Sequence, residues 1–139
     1  MKYLLVVLMM TTGNAMGQDY KKADELKGLK TGSTAPHFEA VDMNDNIFSL
    51  RDALKENPVV LIFYRGHWCP VCNKHLAKLQ DSLQLILDRG VELIAVSPEK
   101  PELLKKTSEK TGVEFRLLHD EDYKIAAAYG VKFRPTGMQ

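Results

Sequence analysis

Val59-Val60-Leu61-Ile62-Phe63-Tyr64-Arg65-Gly66-His67-Trp68-Cys69-Pro70-Val71-Cys72 is the stretch that organises the rest of the chain. Residues 59 to 64 are continuously apolar and rich in Val and Ile. That is the pattern of a strand buried on both faces, as in the centre of a parallel sheet. A short loop follows, and then the only two cysteines of the protein, Cys69 and Cys72. Residues 70 to 89 read as a helix stopped by Gly90. Leu76, Leu79, Leu83 and Ile86, spaced three, four and three, define its apolar face. Counting back four from Leu76 places Cys72 on that inward face and leaves Cys69 at the exposed helix start.

Strand, loop, cysteine pair and helix make a chemical device. The first turn of a helix presents unpaired N–H groups and the positive end of the backbone dipole, and both favour thiolate over thiol. A free cysteine titrates near ~8.5, and such a setting with nearby cations brings it to roughly 3.5–7.5. Arg65 and His67 are the cations within reach of Cys69. Pro70 lacks an N–H and suits the first helical position, so it holds the junction. Trp68 adjoins the nucleophile as a shield or a substrate contact. A pair only two residues apart closes too small a loop to staple a fold, so a reactive dithiol is the stronger reading than a structural disulfide. His67, Cys69, Cys72 and His75 also spell H-x-C-x-x-C-x-x-H, four ligands for a copper or zinc carrier. Against that, one compact segment with Cys72 turned inward wraps a tetrahedral ion poorly. His37 and His119 receive no catalytic role.

The bulk composition bounds the alternatives. The chain has 139 residues, 45% hydrophobic and 27% charged, with formal net charge +1 and no long run of one sign. It fits one globular domain and does not suggest nucleic acid or an anionic membrane as a partner. Residues 1 to 17 read separately: Lys2, an apolar core over 3–10, then a small polar stretch ending Ala15-Met16-Gly17. That is the layout of a signal peptide cut before Gln18, and its apolar run is short of the ~20 residues of a spanning helix. A periplasmic or secreted bacterial protein is the expectation, with residues 18–139 as the domain.

The remaining segments supply a frame. Residues 38–41 and 47–50 flank the turn residues Asp42 to Asn46 and predict a β-hairpin. A short helix follows to Lys55 and ends at Asn57-Pro58. Residues 91–96 predict a second buried strand, 101–110 an amphipathic helix, 115–118 a third parallel strand, and 122–129 a helix stopped by Gly130. Strand and helix alternate, which implies an α/β fold with β-α-β units and a sheet covered on both sides.

Four pieces carry a resemblance. They are Gly32-Ser33-Thr34-Ala35-Pro36-His37-Phe38, then residues 58–66, then Gly90 to Ser97, and finally Ala128-Tyr129-Gly130-Val131. In this order and spacing the chain resembles the redoxins, in particular the AhpC/TSA (alkyl hydroperoxide reductase/thiol-specific antioxidant) family in its peroxiredoxin-like branch. The resemblance implies a thioredoxin-like fold, a central mixed sheet flanked by helices behind an N-terminal hairpin. It also implies antioxidant, thiol-dependent reduction of hydroperoxides or disulfides with a redox-active Cys69/Cys72 dithiol. No cofactor is called for. An external thiol electron donor, thioredoxin-like or a membrane reductase, must recharge the pair; oligomer formation is left open.

The chain departs from the family pattern in two places. Peroxiredoxins typically carry Pro-x-x-x-Thr-x-x-Cys, and in that register Arg65 stands for the proline, Cys69 for the threonine and Cys72 for the peroxidatic cysteine. The thioredoxin-like register makes Cys69 the attacking and Cys72 the resolving thiol. Pro135 falls where thioredoxin folds place a cis-proline beside the cysteines. The sequence given stops at Gln139, before the expected last hairpin and helix, and so reads as C-terminally truncated.

Overall fold

The computed structural model describes residues 21–134. The expected signal peptide and Pro135 lie outside them. A single 3-10 turn over Ala23–Glu25 precedes the hairpin. β1 (Glu39–Val41) and β2 (Ile47–Ser49) pair antiparallel, Ala40 opposite Phe48. The turn between them is closed by Asp42, whose Oδ1 accepts the N–H groups of Asn44 at 2.7 Å and Asn46 at 3.0 Å. This is the side-chain mimicry of a backbone turn that makes Asp common there.

α1 (Leu50–Glu56) ends where Asn57 turns extended, as a residue before proline must. β3 (Val59–Phe63), β4 (Glu92–Ser97) and β5 (Arg116–His119) form a parallel sheet in that order. Residue Leu61 stands opposite Ile94, and Ala95 opposite Leu117. α2 (Pro70–Asp81) and α3 (Leu83–Leu87) connect β3 to β4, and α4 (Pro101–Thr111) connects β4 to β5. α5 (Lys124–Ala128) closes the described chain. A single antiparallel bridge, Asp42 to Leu118, ties the hairpin to β5.

The period of two along β4 and β5 divides the interior into two cores. Leu93, Ala95 and Leu117 pack with Leu76, Leu83 and Leu104 from α2, α3 and α4. Ile94, Val96 and Leu118 pack with Phe38, Phe48, Leu50 and Ile125 from the hairpin side and α5. Both faces of the sheet are therefore covered, as β-α-β connection requires.

Three sequence expectations are corrected here. β4, not β3, is the central strand. β3 pairs with β4 alone among the described residues, and Val60 is 45% exposed. The helix expected over 70–89 is broken at Ser82, whose backbone (φ −101°, ψ 1°) leaves the helical region between α2 and α3. The last helix begins late. Asp122 and Tyr123 sit at φ +55° and +60°, so residues 121–123 form a tight turn instead. Among the described residues no helix is long and apolar enough to cross a membrane.

Candidate active site

The two cysteines sit where β3 hands the chain to α2, at the carboxyl end of the parallel strands where open α/β sheets place their sites. Cys69 is the N-cap of α2 with extended backbone, and Pro70 occupies the first helical position. The Cys69 sulfur does the work of a capping oxygen. It accepts the Cys72 N–H at 3.3 Å, one of the orphan donors of the first turn. Arg65 Nη2 donates to the same sulfur at 3.0 Å. The guanidinium in turn lies over the Trp68 ring, 5.2 Å from its centroid. Trp68 is 48% exposed.

Burial pushes the Cys69 thiol up. The Cys72 thiol and N–H, with the Arg65 guanidinium, outweigh that and hold Cys69 below the ordinary value of 9.0. The same contacts, to Cys69 first, raise Arg65. Both cysteines are free thiols. The sequence expectation holds for Cys72 and fails for Cys69: Cys72, though partly exposed, packs against the core of α2 and α4, while Cys69 is 0% exposed. The reason is the cap. A capping side chain folds back over the first turn to reach its N–H groups, so the groups that bond the Cys69 sulfur also enclose it.

His67 is drawn elsewhere than to the thiol. Its Nδ1 lies 2.6 Å from Glu99 Oε1, and its N–H donates to Glu99 Oε2 at 2.8 Å. Glu99, 8% exposed, stands just past the end of β4 and was not singled out from the sequence. Its one sequence signal is position: a carboxylate two residues beyond a buried parallel strand. Asn73 was missed too. Its Nδ2 donates to the His67 carbonyl at 2.7 Å, and its N–H to the Cys69 carbonyl at 3.0 Å. Tyr64, at the end of β3, is buried with its hydroxyl lacking a partner among the described residues. Burial pushes its hydroxyl up to about 12, helped by the negative charge of Glu99. A cavity of about 490 Å³ opens beside Arg65 and Trp68, with Phe63, Tyr123 and Phe133 among its walls.

His75 is exposed on α2. The set His67, Cys69, Cys72 and His75 is not gathered: no group of three His, Cys, Asp or Glu among the described residues is arranged to hold an ion. His119 gives Nδ1 to the Glu99 carbonyl at 2.8 Å and so stiffens the loop behind the site.

The site therefore brings together a sulfur on a helix cap, a second thiol one turn on and a guanidinium beside them. The AhpC/TSA family model matches residues 31–139. The chain belongs to the AhpC/TSA family. It is 32% identical over 103 residues to peroxiredoxin Bcp of Escherichia coli K12, covering 74% of this chain and 65% of the relative. It is 30% identical over 134 residues to the thiol-disulfide oxidoreductase ResA of Bacillus anthracis, covering 96% of this chain and 75% of the relative. Among solved structures, peroxidoxin BcpB of Mycobacterium tuberculosis superimposes with TM-score 0.70 at 27% identity, over 73% of this chain and 66% of that one. The thioredoxin domain of a Bacteroides vulgatus thiol-disulfide oxidoreductase gives 0.63 at 27%, over 73% and 74%. The fold of this AhpC/TSA chain is thus thioredoxin-like. The chain spans 65% of the length of the Bcp relatives.

Proposed function

We propose that this chain is a thiol-dependent oxidoreductase whose Cys69/Cys72 pair alternates between dithiol and disulfide to reduce disulfides or hydroperoxides. The observation that carries the reading is the Cys69 sulfur held between Arg65 Nη2 at 3.0 Å and the Cys72 N–H at 3.3 Å. The family's peroxiredoxins and thiol-disulfide oxidoreductases support it.

With a disulfide substrate, the Cys69 thiolate attacks one sulfur. A Cys69–substrate disulfide forms, and the other substrate sulfur leaves as thiolate. Cys72 then loses its proton and attacks the Cys69 sulfur, expelling the second substrate thiolate. The substrate gains two electrons, and the protein is left with a Cys69–Cys72 disulfide. With a hydroperoxide, the thiolate takes the terminal oxygen to become sulfenic acid, and the alkoxide leaves and takes up a proton. Cys72 condenses with the sulfenic acid and releases water. In both cases an external dithiol donor returns the two electrons. The reading extends to export across a membrane, supported by the leader-like residues 1–17 and by likeness to a secreted Mycobacterium tuberculosis disulfide oxidoreductase at 25% identity and TM-score 0.58.

One observation favours a second order of events for hydroperoxides. Cys72 is the partly exposed thiol and occupies the peroxidatic register, so a small peroxide reaches it first. Separate substitutions distinguish the two. If Cys69 leads, Cys69→Ser abolishes insulin reduction and peroxide consumption, and Cys72→Ser accumulates a mixed disulfide with substrate. If Cys72 leads, the trapped adduct appears in Cys69→Ser. A chain whose two single variants both keep full turnover would end the proposal.

A further inference from the structure

We propose that Glu99 is a positioning residue for the Cys69 thiolate, acting through His67 and Arg65; the inference rests on the dithiol reading above. Both oxygens of the buried Glu99 carboxylate are spent on one residue of the loop, the His67 N–H at 2.8 Å and the His67 ring at 2.6 Å. Neither oxygen hydrogen-bonds a cysteine among the described residues. A carboxylate this enclosed costs stability unless it is fully bonded, so its retention needs a structural return.

The return is the course of the loop. Gly66 lies so close to the carboxylate that a Cβ there would stand 2.5 Å from Glu99 Oε1 and 2.7 Å from Trp68 Nε1. Glu99 is itself fixed at both ends: its N–H donates to Ser97 Oγ at 3.3 Å, and its carbonyl accepts from His119 Nδ1 at 2.8 Å. On its far side the loop is tied to α2, because the His67 carbonyl accepts from Asn73 and the Gly66 carbonyl accepts the Cys69 N–H at 3.1 Å. Residues 66 to 69 are therefore strung between the end of β4 and the first turn of α2. Arg65 hangs from one end of this span and Cys69 from the other, which sets the guanidinium at 3.0 Å from the sulfur. Without Glu99 the loop keeps its α2 tether and, before Arg65, the Tyr64 N–H bond to the Val96 carbonyl at 3.0 Å, but residues 66 and 67 lose their hold on the end of β4, and the exposed Arg65 moves off the thiolate.

The test is site-resolved alkylation by iodoacetamide on the full chain at a pH below the wild-type Cys69 midpoint, with Cys69 and Cys72 distinguished by tandem mass spectrometry. Loss of one charge-assisted hydrogen bond to the thiolate corresponds to about a tenfold fall in reactive fraction. Glu99→Ala is expected to slow Cys69 about tenfold. Arg65→Met slows it similarly, and in that background Glu99→Ala adds less than about twofold, because the two share one route. Glu99→Gln keeps the size and an acceptor oxygen, and is expected to slow Cys69 about threefold; it carries the test if circular dichroism finds the alanine variant unfolded. A wild-type Cys69 rate retained in the folded Glu99 variants overturns the inference, and so do losses that multiply in full. A wild-type Cys69 whose alkylation midpoint lies no lower than that of free cysteine overturns the dithiol reading instead.

Discussion

Gly66→Ala probes the packing on which the site depends. The new methyl would lie 2.5 Å from Glu99 Oε1, 2.6 Å from its Cδ and 2.7 Å from Trp68 Nε1, at φ +153°. Each distance is inside van der Waals contact, and Glu99 has little room to retreat from its buried place. Overpacking of this kind costs about 2 kcal/mol. Pushing the carboxylate aside also breaks at least one charge-assisted bond to His67, worth about 1.5 kcal/mol. The sum, ~3.5 kcal/mol, lowers Tm by about 14 °C for a domain of this size, taking ~4 °C per kcal/mol. Gly112→Ala is the internal control. Gly112 ends α4 at φ +72° with nothing within 4 Å of its would-be Cβ. It therefore pays only the left-handed penalty of ~1 kcal/mol, about 4 °C. Paired urea and thermal melts followed by circular dichroism measure both. Equal losses in the two variants, within ~0.5 kcal/mol, would refute the close approach of loop and carboxylate.

Two further outcomes are expected. Cys69 ionises at lower pH in the folded chain than in the unfolded one. The folded state therefore releases its proton first, and stability gained from Cys69 grows as pH rises from the lowered value towards 9.0, then levels off; it is lost as pH falls through the lowered value. The urea-midpoint gap between wild type and Cys69→Ser should widen between pH 7 and 9, and a gap that narrows contradicts the assignment. Asp120, 1% exposed, accepts the Ile125 N–H at 2.7 Å and the Ala126 N–H at 2.9 Å and so starts α5. Asp120→Ala should cost about 2–3 kcal/mol in urea unfolding, where a loss under ~0.5 kcal/mol would mean the cap does not matter.

What the sequence revealed was what short range determines. The hairpin followed from turn residues that bond to their own backbone, as Asp42 does. The two faces of β4 follow from alternation, and the start of α2 from Pro70. What it hid depended on neighbours distant in the chain. The run at β3 is as apolar as that at β4, and composition does not reveal that only one partner strand flanks it. The leucine spacing from Leu76 to Ile86 carries on across Ser82 because apolar contacts tolerate a broken backbone turn. Counting along a helix gave Cys72 its inward direction but ignored how a cap folds back, so Cys69, expected at an exposed helix start, is buried. Glu99 sits 32 residues from His67, beyond the reach of any local motif.

The most direct test of the central claim, that the contacts of Cys69 favour its thiolate over its thiol, is the pH dependence of its site-resolved alkylation rate. The account predicts a half-maximal rate below the ~8.5 of free cysteine. A midpoint at or above that value would contradict it.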